Sequence, residues 1–432
     1  MDELAVKEYL GQGAILAGQG KYPEAIEFYE KAERENPMHF ETYIAKGVAY
    51  ANMDNLDEAK AQFEKSLKIN RTSGVSYFHL GSIAVLQENI ALGFENYNKA
   101  IANGYEDAQL YYSIGLLHEE NGEIELAIRN YTKAITQNAL RPDIRIRKAR
   151  LLIQAKQLPE ALQVLDETIL TNPDIFEGYH IKFSLLMQQG QLDKAEKALN
   201  DALAMFPSDP GFILDKASLF VAQNKIEEAL SVLANLEQQS DIENTTRRQI
   251  HMDRAQILAI KEDVTATIVE LDKANALIDE FDTEVVFLLA NCHMTQGDYG
   301  KVLEYSRQIV EKSDAPFYQI TARYYVPLAL KMLNRMDEAR PLYEEAISEF
   351  RNMTLSSPGN LDAYMLRIMC LRDLEQYEKA LELTDYVITL QSDSPEPRMI
   401  RVALLEALGK DEEAKEEAKI ANEMLPEDLR RK

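Results

Sequence analysis

The sequence predicts an all-α solenoid of about twelve stacked helical hairpins, and three observations predict it. Residue types recur every 34 positions: Gly13, Gly47, Gly81 and Gly115 form one ladder, and Tyr43, Tyr77 and Tyr111 a second, with Tyr179 two steps further on. Small residues form a third, Ala25, Ala59, Gly93, Ala127, Ala161, Ala195 and Ala229. A fixed period of this size marks a repeat architecture in which each unit buries its apolar face only against its neighbours. Within a period, apolar and small residues return at helical rather than strand spacing. Prolines and polar breaks fall where one helix must stop and the next begin.

The first unit opens with "LGQGAILAGQGKY", residues 10–22. Its glycines do not make a phosphate loop. A dinucleotide loop needs a third glycine where Leu16 stands, and a nucleoside-triphosphate loop needs glycine at Ile15 and a hydroxyl at Tyr22. Gly13 instead allows two helices to approach, and Gly20 turns the chain between them. Pro23, like Pro159 later, opens a second helix where its missing N–H is harmless. In the second unit Tyr43, Gly47 and Tyr50 share one helix face, Asn52 to Asn55 break it, and Leu56, Ala59, Phe63 and Ser66 resume the period. Successive units begin at Val6, Phe40, Gly74, Ala108, Pro142, Phe176, Pro210, Arg248, Thr283, Ile320, Leu361 and Pro395. The first seven run without a gap. Later ones are looser: Val302 replaces a small residue, Pro327 falls inside a first helix, and insertions occupy 244–247 and 354–360. This divides the chain into a regular array, 1–243, and a less regular one, 244–432, within one continuous solenoid. The last helix keeps Ala414, Ala418 and Ala421 for packing and pairs Glu412 with Lys415 and Glu416 with Lys419, as a polar cap should.

An aromatic, a small residue four later, an aromatic or leucine three beyond, alanines in the second helix and a closing proline resemble the tetratricopeptide repeat family. The resemblance covers nearly the whole chain. It implies a right-handed superhelical solenoid whose first helices line a concave groove for a protein or peptide. Carried onto this sequence, the family's groove positions are Ile44, Val48, Phe78, Val85, Tyr112, Leu116, Leu214, Phe287, Asn291, Tyr324 and Met365. Two outcomes are open for this second apolar stripe: adjacent helices bury it against each other, or it receives a ligand. The family's carboxylate clamp is missing, because its places hold Leu10, Ala14, Ala45, Val75 and His79. Of the asparagines with which some members hold peptide backbone, only Asn291 is in place.

"RPDIRIRKAR", residues 141–150, departs from an acidic background. Arg147 and Arg150 share a helix face, and Arg150 is expected to look into the groove beside Tyr112, Leu116 and Glu119 on one side and His180 and Ser184 on the other. They either recognise a ligand acid or pair with Glu119, Glu120 or Glu177.

The chain's 432 residues carry a net charge of −25, which argues against nucleic-acid binding and reads as a solvated exterior rather than a surface for a basic partner. Two distant cysteines, Cys292 and Cys370, make no disulfide framework. The absence of an apolar run near the roughly 20 residues of a membrane helix, or of a secretory leader, points to the cytoplasm. The six histidines are scattered without metal-site spacing, and no nucleophile, base and acid can be grouped. No catalytic residue, cofactor or metal is expected. The function expected is a non-catalytic binding scaffold, with a self-assembling structural element as the alternative.

Overall fold

A computed structural model describes residues 3–138 and 140–425. Among them there are 24 helices and no strand. The chain divides into two compact units, Met1–Pro207 and Ser208–Lys432.

In the first unit the hairpins are α1 (Glu3–Gly18) with α2 (Tyr22–Glu35), α3 (Phe40–Asn52) with α4 (Leu56–Ile69), and α5 (Gly74–Leu86) with α6 (Ile90–Ala102). They continue with α7 (Ala108–Glu120) and α8 (Ile124–Gln137), α9 (Pro142–Gln154) and α10 (Leu158–Thr171), and α11 (Phe176–Gln188) and α12 (Leu192–Met205). The second unit pairs α13 (Pro210–Ala222) with α14 (Ile226–Glu237), α15 (Asn244–Ile260) with α16 (Val264–Ala276), and α17 (Thr283–Gln296) with α18 (Tyr299–Lys312). It ends with α19 (Pro316–Met332) and α20 (Met336–Ser356), α21 (Leu361–Asp373) and α22 (Tyr377–Leu390), and α23 (Pro395–Ala407) and α24 (Asp411–Met424). Within each unit every helix packs on the next.

The 34-residue ladders are the contacts that hold the hairpins together. A Cβ on Gly13, Gly47, Gly81 or Gly115 would fall 2.3 to 2.7 Å from the ring of Tyr29, Phe63, Tyr97 or Tyr131 respectively, the aromatic 16 residues on. In the fifth and seventh hairpins the glycine is Ala149 or Ala217 and the aromatic is Leu165 or Leu233, each pair in one core cluster. A larger residue on one helix thus meets a smaller ring-free partner on the other, as close packing at fixed helix separation requires. The alanine ladder of the second helices, Ala25, Ala59, Ala127, Ala161, Ala195 and Ala229, is wholly buried.

Each hairpin turn contains one residue in the left-handed region. It is glycine at Gly20, Gly122, Gly190, Gly297 and Gly409, but a side-chain residue at Asp54, Glu88, Lys156, Asn224, Glu262, Asn334 and Glu375, with φ of 59° to 61°. Helix starts are fixed by caps: Asn55 accepts from the Glu58 N–H and Asp282 from the Val285 N–H.

Nine first helices begin at the residues the period gives; α1, α15 and α19 do not. Residues 244–247, expected as an insertion, are the extra first turn of α15, and Pro316 starts α19 one turn before Ile320. The second expected insertion is divided, 354–356 extending α20 and the rest linking it to α21. α19 remains helical through the buried Pro327. At the chain end Ala414 and Ala421 are buried and Lys415 pairs with Glu412 at 2.8 Å; residues 426–432 of the expected cap lie outside the described residues.

Candidate functional site

In the first unit the groove positions are only partly open. Phe78 is 7% exposed and packs with Tyr97, Leu110 and Ile114, so it is interior, and Val85 packs against the same cluster. The cause is Gly93, whose missing side chain admits Val85 toward the second helix. Ile44 and Val48 are half-buried beside Phe63, and Tyr112 and Leu116 beside Tyr131. His180 is half-buried against the Phe176 ring and Ser184 is exposed.

The basic stretch is paired internally. Glu119 accepts hydrogen bonds from Tyr131 Oη at 2.5 Å and Arg147 Nη1 at 3.0 Å. Burial, reinforced by that carboxylate, pushes the Tyr131 phenol far up. Arg150 donates to Glu177 at 2.5 Å, Arg145 to Glu167 at 3.2 Å, and Arg141 to Asp143 and Gln109 while lying over the Tyr112 ring. Of the two readings of this stretch, the structure shows pairing with Glu119 and Glu177.

In the second unit Leu214 and Met365 are half-buried against their own hairpins, and Phe287 sits among the rings of Phe317, Tyr318 and Tyr325. Tyr324 is 2% exposed and belongs to the interior. Its hydroxyl and that of Tyr343 both donate to the buried Asp373, at 3.0 and 3.2 Å, which also faces Lys331 and Arg372. A carboxylate inside a helical stack is tolerable only with such a set of donors, and the hydroxyl draws the Tyr324 ring inward.

Asn291 alone opens onto a sizeable cavity. The first helix α15 packs on α16, and α16 on α17. The hairpin α15–α16 is bracketed by six-residue links, 238–243 and 277–282, against four residues at 70–73, and a cavity of about 950 Å³ lies between this hairpin and α17. Its wall is Gln249, Met252, Asp253, Ala255, Gln256 and Ala259 from α15, Glu262 from the turn, Val264, Thr267 and Leu271 from α16, and Glu284, Leu288, Asn291, Cys292 and Thr295 from α17. Asn291 Oδ1 accepts from Tyr325 Oη at 2.9 Å, which fixes its amide. The α15 residues are not among the groove positions given above. The signal existed: the same register applied to the unit starting at Arg248 gives Gln249, Met252, Gln256 and Ala259, all on this wall.

Sequence profiles described as the tetratricopeptide repeat match residues 16–78, 119–179, 186–241 and 328–395, together more than half of the chain. The chain belongs to the tetratricopeptide repeat family. No curated protein sequence matches it. Among solved structures, it is similar to YrrB, described as a tetratricopeptide repeat protein with an unusual peptide-binding site, at 21% identity over 41% of this chain and 92% of that one, with a TM-score of 0.36. A tetratricopeptide repeat protein from Parabacteroides merdae shares 18% identity over 59% of this chain and 98% of its own, with a TM-score of 0.37. The C-terminal part of a repeat protein from Cytophaga hutchinsonii shares 18% over 65% and 99%, with a TM-score of 0.42. Tetratricopeptide repeats are in general protein-interaction scaffolds, and generally non-catalytic. Among the described residues no helix is long and apolar enough to cross a membrane, and no group of histidine, cysteine and carboxylate side chains is placed to hold a metal.

Proposed function

We propose that this tetratricopeptide repeat chain is a non-catalytic scaffold that takes a peptide segment of a partner protein into the cavity between α15 and α17. The observation that carries the reading is the 950 Å³ opening, whose exposed surface is mainly apolar and into which three amides, three carboxylates and two threonines are also set. Ligand sites of several hundred Å³ commonly have this make-up, and a fixed amide such as Asn291 suits a peptide backbone. The half-buried first-helix residues of the first unit, Ile44, Val48, Tyr112, Leu116 and Arg147, with the exposed Arg150 and Ser184, supply a second, flatter contact surface.

Selection of a random peptide library on the full chain, followed by affinity measurement, tests this. Ala259→Trp fills the cavity from an exposed position on α15 without touching the core. The selected peptides should lose about tenfold or more in affinity, roughly 1.4 kcal/mol, with the melting curve unchanged. Equal binding to both proteins, or a selection that yields no binder, contradicts the reading. The competing reading, self-assembly, requires a mass in light scattering that rises with concentration.

A further inference from the structure

Of the three carboxylates that line the cavity, Asp253 is half-buried and Glu262 and Glu284 are exposed. Asp253 stands where the large cavity meets a smaller one of about 130 Å³ between α13 and α15, and lines both. Its carboxylate accepts a hydrogen bond from Gln249 Nε2 at 2.8 Å, and among the described residues no cation is paired with it. The neighbouring arginines are directed elsewhere: Arg248 binds Asp282 at 2.5 Å and lies 3.7 Å from Glu284, while Arg254 binds Glu237 at 2.6 Å. No lysine, arginine or histidine lines either cavity, whereas Asp253, Glu262 and Glu284 do. Burial, and the charge of Asp215 on α13, push the Asp253 carboxyl above the ordinary range, against the Gln249 bond.

A half-buried carboxylate without a counter-charge lowers stability. One that opens into a cavity can recover that loss from a cation brought by a ligand, and the chain's net charge of −25 steers cations toward it. Met252 and Leu288, both half-buried on the wall, offer an apolar surface for the methylene stem of such a side chain. We propose that the cavity receives a lysine or arginine of the partner segment, next to an apolar residue, with Asp253 as its counter-charge. The proposal rests on the peptide-binding reading above and adds the chemical class of peptide. The overall acidity of the chain, which reads as solvation, has at this one place a recognition role.

The probes are the peptides selected on the full chain. Their sequences should be enriched in lysine or arginine beside an apolar residue. A synthetic peptide of the enriched sequence and its Lys→Met version (Arg→Met where the basic residue is arginine) are titrated onto the chain and onto Asp253→Asn. The basic peptide should bind the unaltered chain about tenfold or more tightly than the methionine version, and Asp253→Asn should bind the two alike. Equal affinities on the unaltered chain, or a preference that survives Asp253→Asn undiminished, overturn the proposal. Binding that Ala259→Trp leaves intact overturns the peptide-in-cavity reading instead, so the two failures are distinguishable.

Discussion

Gly81 and Tyr97 occupy a single packing position: a Cβ on Gly81 would lie 2.6 Å from Tyr97 Cδ1 and 3.2 Å from the Gly93 carbonyl oxygen. Tyr97 is itself buried and hydrogen-bonded through its hydroxyl to Ser82, so the ring has nowhere to move. Gly81→Leu should therefore force α5 and α6 apart and lower stability by about 1–3 kcal/mol. Thermal unfolding followed by circular dichroism checks this; an unchanged midpoint would remove the claim that the 34-residue glycine ladder marks helix contacts.

The left-handed residues of the turns give the opposite kind of prediction. Glu88 adopts φ 61° with a Cβ present, a conformation that glycine adopts at less steric cost. Relief of that cost, less the chain entropy that glycine loses on folding, should raise the stability of Glu88→Gly by up to about 1 kcal/mol. Urea unfolding gives the sign, and a loss would mean that the Glu88 side chain holds the turn.

At Asp253 the sign follows from its raised carboxyl pKa. A folded-state pKa above the unfolded value means that the protonated form is favoured by folding. That contribution is complete below the unfolded pKa and is lost as pH rises through the folded one. At neutral pH the charged group therefore lowers stability, and Asp253→Asn should melt higher there. The advantage should shrink as pH falls below the ordinary carboxylate range. Melting curves of the two proteins across acidic to neutral pH decide it; a variant that melts lower at neutral pH would mean that the charge is satisfied inside the fold.

Much of this architecture is legible in the sequence because its contacts are local and repeated. Gly47 and Phe63, or Ala59 in the second helix, can be read from one hairpin and checked against the next. The extra turns of α15 and α19 are not legible in the same way: residues 244–247 and 316–319 extend a helix backward without disturbing its period, so an alignment of units sees only surplus residues. Tyr324 occupies a groove position in the repeat but is drawn inside by Asp373, 49 residues away. The cavity is lined from three successive helices, α15, α16 and α17, a combination that no single repeat encodes. Asn291 stands at a groove position of the repeat, and Asp253, which lines the same space, does not.

The proposed boundary between a regular array, 1–243, and a less regular one, 244–432, makes a prediction of its own. Residues 238–243 link α14 to α15 outside any helix and are exposed apart from Ile242. Amide hydrogen exchange there should be faster than in the four-residue links of the first unit, while α15 beyond its first turn should be protected. Equal protection in both kinds of link would contradict a joint at this position.

The central claim, that the space between α15 and α17 is where a partner binds, has a reporter built into it. Cys292 lines the cavity and is half-buried, whereas Cys370, the chain's other cysteine, is buried. Burial raises both thiols above the usual range, so alkylation is best followed at mildly alkaline pH. The expected result is that a saturating selected peptide slows alkylation of Cys292 and leaves Cys370 unaffected. A Cys292 rate unchanged by bound peptide would show that the partner sits elsewhere.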